Sequence, residues 1–183
     1  MKLHLGCGKR DFEGWVNVDL ADYPHIQHIS SVNDLSMFED NSADIIYSSH
    51  TLEYFDRNEA FTVLTEWRRV LKPEGILRVA VPNFKALIKV YDQTDDLSNI
   101  LGPMYGKMMI SRKEDSENIY HKTIYDFNSL SKLLMSVGYK NVIEYDWRKT
   151  EHSKYDDHSQ AYFPHMDKNN GLLVSLNIEA IKC

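Results

Sequence analysis

The 183 residues suit one domain with one core, and 43% hydrophobic against 26% charged residues is a globular balance rather than a disordered one. A formal charge of −6 argues against a protein that grips nucleic acid through counterion release. No apolar run approaches the ~18 residues of a membrane span, so neither nucleic acid nor membrane is an expected partner.

The two cysteines, Cys7 and Cys183, fit free thiols in a reducing compartment, and the cytoplasm is the expected location. Residues 3–6 and 15–20 read as short buried strands, 26–30 as a weaker third, and 43–49 as a fourth after the turn-forming "EDNS". A helix follows, with Asp56 as its cap and Glu59 completing a capping box. Ala60, Val63, Leu64, Trp67, Val70 and Leu71 fall on one face of it. "KPEG" at 72–75 stops this helix through Pro73, and 76–82 is a fifth strand.

Residues 83–93 read as a helix, and 102–122 as a lid-like loop of glycines, methionines and the charged "SRKEDSEN". A helix over 126–138 is capped near Asp126 and closed by Gly138. Residues 141–147 and 172–181 are the last strands, separated by a polar insert near 148–170. Alternating strands and helices predict a single α/β domain over 1–183 with a seven-stranded, mostly parallel sheet and an antiparallel edge strand.

In an open α/β sheet, ligands sit at the carboxyl ends of the strands. Gly6 and Gly8 end the first strand there, and Asp19 ends the second, where its carboxylate can accept two hydrogen bonds from a ribose diol. Asp19 lies only 13 positions after Gly6, too few for the helix that usually stands between such strands. A dinucleotide needs that helix end for its pyrophosphate, a third glycine, and an acid about 20 residues further on. S-adenosylmethionine has a ribose and an adenine but no phosphate. It tolerates this loop if another group binds its amino acid end.

"LGCG", "NVD", "FEDNSADIIYSSHTLEYF" and "EWRRVLKPEGILRVAVPN", in that order over residues 3–84, resemble the small class I S-adenosylmethionine-dependent methyltransferases. "YHKTIYDFNSLSKLLMSVGYKNV" extends the resemblance more loosely. It implies a Rossmann-like methyltransferase fold, here shortened at the N-terminus. It also implies S-adenosylmethionine as co-substrate. Gly6, Cys7 and Gly8, with Arg10 in place of the third glycine, would line its methionine part; Asp19 and Leu20 its ribose; Ser31, Val32 and Asn33 its adenine; and Ser49 and His50 its sulfonium region. Glu53-Tyr54 stands where many relatives carry Glu-His.

Methyl transfer to oxygen needs an aligned acceptor and often a base. His50 and His121 are the candidate catalytic residues, His121 reaching inward with the lid. His50 also reads as packing beside the cofactor, and His121 as a surface or capping residue. Met104, Met108 and Met109 line an apolar pocket or pack the lid, and Arg68 and Arg69 read as a solvated face. Cys7 has no adjacent base to make it a nucleophile. The insert holds His152, His158 and His165 with Asp156, Asp157 and Asp167, but at no regular metal-ligand spacing, and no metal is expected. It reads instead as an acceptor-binding loop or a solvated hairpin.

The expected function is methyl transfer to a small-molecule acceptor, an oxygen of a saccharide or secondary metabolite. A homodimer is possible, because cover for the acceptor must come from 102–122, from 148–168 or from a second subunit. A non-catalytic S-adenosylmethionine-binding or partner subunit is the alternative, and an aminopropyl transferase a third.

Overall fold

The computed structural model describes residues 1–111 and 116–183. Eleven strands are distributed over three sheets among the described residues. The main sheet is built by β1 (Lys2–Leu5), β2 (Val16–Asp19), β3 (His28–Ile29), β4 (Ala43–Ser49), β5 (Leu71–Pro82), β8 (Tyr139–Glu144) and β11 (Ser175–Lys182). Their order is β3-β2-β1-β4-β5-β11-β8. β11 runs antiparallel to both β5 and β8, and the other pairings are parallel. The antiparallel strand therefore lies one place in from the edge rather than outermost. β8, with β11 between it and β5, forms the edge itself.

One face of the sheet packs on α1 (Arg57–Val70) and α4 (Phe127–Val137). Leu3, Leu5, Val18, Ile46, Leu77 and Val79 meet Ala60, Val63, Leu64, Trp67, Leu130 and Leu134 there. α1 begins as its sequence dictates. Asp56 accepts from the amides of Asn58 and Glu59, while Glu59 Oε2 accepts from the Asp56 amide. α4 has Asp126 as its cap and ends on Gly138, whose φ of 101° is left-handed.

The "KPEG" segment lies inside β5, against expectation. Ala43 pairs with Leu71 and Ile45 with Ile76, so residues 72–75 form an excursion between two ladder positions. Residues 102–111 and 116–122 are also more regular than the expected loop. α3 (Ser98–Tyr105) packs on α2 (Phe84–Thr94), and β6 (Lys107–Ser111) pairs antiparallel with β7 (Ser116–Tyr120). Residues 112–115 of "SRKEDSEN" lie outside the described residues.

The opposite sheet face is where the usual helix after β1 would stand. Residues 6–15 are turns and irregular chain. Phe12 and Trp15 from that connection cover Tyr47 and Ile45, and the insert after β8 closes over them. The His152 ring lies 4.0 Å from Tyr47, and Tyr155 stacks on Phe12 at 4.3 Å. Tyr47 donates to Asp157 Oδ2 at 2.6 Å in a buried contact. The insert ends in a small hairpin of β9 (Tyr162–Phe163) and β10 (Leu172–Leu173), beside α2. No helix of the described residues is long and apolar enough to cross a membrane.

Candidate functional site

A cavity of about 450 Å³ opens at the carboxyl ends of β1, β2 and β4. Its wall includes Gly6, Cys7, Gly8, Arg10, Asp19, Leu20, Ser31, Val32, Ser49 and His50, so ten of the residues singled out in the sequence converge on one space. Asn33 does not join them: it is exposed, while its neighbour Val32 turns inward.

The loop after β1 requires its glycines. Gly6 has φ +67°, and a Cβ there would lie 2.2 Å from Thr51 Oγ1. Gly8 has φ +56°, with nothing within 4 Å of its Cβ position, so the backbone is open toward the cavity. The Gly8 amide donates to Asp19 Oδ2 and the Ala21 amide to Oδ1, both at 2.8 Å. Each carboxylate oxygen is thus oriented by one backbone hydrogen and keeps lone-pair capacity for a second donor. His25 Nε2 donates to the Gly8 carbonyl at 2.9 Å and holds the loop from its other side. Burial pushes the Cys7 thiol up to about 12, which leaves it inert as a nucleophile.

Arg10 lines the cavity with its Nε donating to the Asp156 carbonyl at 3.0 Å. Its two terminal nitrogens make no hydrogen bond among the described residues. Arg68 and Arg69 are structural rather than a solvated face. Arg68 donates to the Gly138 carbonyl, and Arg69 to the Leu35 and Phe38 carbonyls and to Glu66.

His50 also lines the cavity, with both ring nitrogens facing protein groups. Nε2 lies 3.1 Å from Ser175 Oγ, and Nδ1 lies 3.4 Å from Glu53 Oε1. His121 lies in a second cavity with Met104 and Tyr105. Its Nδ1 donates to the Pro103 carbonyl at 2.9 Å, and its Nε2 lies 3.8 Å from the same Glu53 oxygen. The two candidate histidines thus meet through Glu53, a fully buried carboxyl lifted to about 8 by burial. Burial lowers both imidazoles.

Sequence reasoning missed Glu53 as a chemical group. The His50–Glu53 spacing of three within one turn was its only local signal. Met108, Met109, Ile110 and Ile119 bring the β6–β7 hairpin over the cavity, while Met104 serves the second one. His158, from the insert, packs edge-on to His50 at 5.1 Å and lines the cavity. Its ring makes no hydrogen bond among the described residues. Burial first, then the Arg10 charge, lowers its pKa. His152 is buried under the sheet instead, and among the described residues no three His, Cys, Asp or Glu are grouped to hold a metal ion.

Residues 13–79 match the family model described as Methyltransferase domain. No curated protein matches the chain. Among solved structures, a methyltransferase from Methanosarcina mazei is 19% identical, with a TM-score of 0.55 over 99% of this chain and 91% of its own. One from Archaeoglobus fulgidus is 16% identical, with a TM-score of 0.58 over 99% and 85%. Burkholderia thailandensis 1,6-didemethyltoxoflavin-N1-methyltransferase, solved with that compound and S-adenosylhomocysteine, is 14% identical, with a TM-score of 0.57 over 99% and 70%. Residues 13–79 thus resemble a methyltransferase domain in sequence, and the whole chain shares the fold of these methyltransferases.

Proposed function

We propose that the chain is an S-adenosylmethionine-dependent methyltransferase acting on a small-molecule acceptor. The observation that carries this reading is the Gly6–Gly8 loop joined to Asp19 at the mouth of a cavity, with no helix in the connection between β1 and β2. Asp19 would take the ribose hydroxyls, and Leu20, Ser31 and Val32 would border the adenine side. The open backbone at Gly8 admits a ligand in close contact, which fits the methionine part. The free terminal nitrogens of Arg10 suit the amino acid carboxylate, a planar anion matched by a guanidinium fork. When bound, S-adenosylmethionine supplies an electrophilic methyl group. The chain's own residues bind and orient it, and the hairpin helps exclude water.

An oxygen acceptor fits the remaining wall. Tyr54, Phe55, Met108, Met109 and Ile119 offer apolar surface, and His50 and His158 offer polar edges. This mixture favours a secondary metabolite or a saccharide derivative with an apolar face. The solved 1,6-didemethyltoxoflavin-N1-methyltransferase, with its bound S-adenosylhomocysteine, is an example of this fold serving a small-molecule acceptor, there a nitrogen. Isothermal calorimetry with S-adenosylmethionine and S-adenosylhomocysteine tests the reading. Saturable binding of both is expected, and no heat from either at millimolar concentration would leave the chain a non-catalytic partner subunit.

A further inference from the structure

We propose that Glu53 is the positioning residue of this site: one proton kept among His50, Glu53 and His121 holds the cavity wall against the base of the β6–β7 hairpin. The surrounding hydrogen bonds fix where the hydrogens are. Asn177 Nδ2 donates to the Ser159 carbonyl at 2.9 Å, which turns Oδ1 toward Ser175. The Ser175 hydroxyl spends its single hydrogen on that Oδ1 at 2.9 Å. Its oxygen therefore accepts from His50 Nε2–H at 3.1 Å. Neutral His50 then presents a bare Nδ1 to Glu53 Oε1, 3.4 Å away.

The same reasoning holds on the other side. The Pro103 carbonyl only accepts, so His121 Nδ1 carries the hydrogen and its bare Nε2 faces the same Oε1 at 3.8 Å. Both Glu53 oxygens are buried without a hydrogen-bond partner. Lone pairs from three groups thus converge with no hydrogen between them, an arrangement that is repulsive until one proton is added. Burial favours the neutral carboxyl and the neutral imidazoles alike, so near neutral pH the proton resides on Glu53. The other titratable neighbours are the phenols of Tyr54 and Tyr125, both pushed up by burial and by the Glu53 charge. Asp56 and Arg57, at the start of α1, act on Tyr125 with opposite signs, and His158 acts on both histidines. No lysine or arginine pairs with the Glu53 carboxyl among the described residues.

The cluster sits where the hairpin begins and ends. Gly106 immediately precedes β6 and His121 immediately follows β7, and the His121 amide donates to the Gly106 carbonyl at 3.2 Å. A Cβ on Gly106 would lie 2.7 Å from the His121 ring, so glycine is what lets the imidazole nest there. The amides of Lys122 and Thr123 donate to the Glu53 carbonyl at 2.8 and 3.3 Å. The foot after β7 is therefore anchored on Glu53 directly, and the foot before β6 is tied to it through His121. Loss of the shared proton leaves a carboxylate facing two lone pairs at that anchor.

Amide hydrogen exchange of residues 107–111 and 116–120, corrected for intrinsic rate, tests this. Wild-type protection is expected to fall about tenfold between about pH 7 and pH 9. Glu53→Gln, whose amide can donate the same hydrogen, should keep the neutral-pH protection at both values, and Glu53→Ala should lose it at both. Wild-type protection that does not change with pH would overturn the proposal. So would a Glu53→Gln protein as open as Glu53→Ala at pH 7, or zinc or magnesium chloride tightening the wild type, since a cation would then fill the proton's place. Should Glu53→Gln not fold, infrared spectra of the wild type decide: a protonated carboxyl band at pH 7 that vanishes at pH 9 is expected, and its absence refutes the assignment. Affinity for S-adenosylhomocysteine should follow the same pH dependence. Only this last readout rests on the methyltransferase reading, so absent binding would sink that reading while exchange still judges Glu53.

Discussion

Replacing Tyr47 by phenylalanine isolates one bond between the central sheet and the insert. Tyr47 is fully buried in β4, and its hydroxyl donates to Asp157 Oδ2 at 2.6 Å. The ring's contacts with Phe12 and His152 survive the substitution, so no large cavity forms. What is lost is a hydrogen bond to a carboxylate, worth about 1.5–3 kcal/mol. Asp157 is only 7% exposed and retains the Ser159 amide on Oδ1, so water replaces the missing donor poorly and the loss belongs in the upper half of that range. For a domain of this length each kcal/mol lowers Tm by about 2–4 °C, giving an expected fall of roughly 4–12 °C. Urea titration and calorimetry measure both quantities. A loss below about 0.5 kcal/mol would show that the aromatic stack alone seats the insert, which would refute the argument from the buried bond.

Three further predictions follow from the site and its surroundings. Asp19→Ala should weaken S-adenosylhomocysteine binding by about 1.5–3 kcal/mol by calorimetry, and unchanged affinity in a folded variant would move the ribose elsewhere. Gly6→Ala should cost at least the roughly 1–2 kcal/mol of a left-handed non-glycine residue, plus the overlap with Thr51, read as a lower urea midpoint. Stability should peak near neutral pH, because Glu53 and the buried histidines act on it in opposite senses. Glu53, lifted from 4.5 to about 8, gives stability that is complete at low pH and is lost as pH rises toward 8. His4 and His152, lowered by burial to about 3 and about 4, lose stability as pH falls below 6.5, and together they outweigh Glu53 there. Urea titrations across this range should show a downward slope of at most about 1.4 kcal/mol per unit above the peak, flattened in Glu53→Gln.

Features specified within a few residues were legible in the sequence. The Asp56–Glu59 box, the Trp67 stripe, the Gly138 stop and the Gly6–Gly8 loop each depend on local spacing, and each stands where the residues placed it. Features set by distant partners were not. β6 and β7 form a ribbon outside the main sheet, and the described side chains of β7 are mostly exposed, so no alternation marks it. α3 carries Pro103 and Gly102, which read as breakers, yet the helix runs on through both while packed on α2. The place of β11 between β5 and β8 is a choice of sheet neighbours that no single segment encodes. Glu53 looked like a family variation in a turn. Its meaning depends on His121, 68 positions away, and on Ser175, further still.

The short β1–β2 connection explains why one edge of the site's wall comes from the insert after β8. A parallel sheet must be covered on both faces, and residues 6–15 provide only Phe12 and Trp15 for the area over β1 and β4. The insert supplies the remainder with His152 and Tyr155, and that packing carries Asp157 and His158 to the cavity edge. It also fixes the charge there. Where a helix N-terminus would offer backbone amides to a phosphate, the Asp156 carbonyl instead orients the Arg10 guanidinium. Backbone amides at a dipole end would favour a diphosphate, whereas a single oriented guanidinium matches one carboxylate. Exchanging the covering element therefore changes the anion the site suits, and this supports an amino acid-bearing nucleoside over a dinucleotide as the occupant.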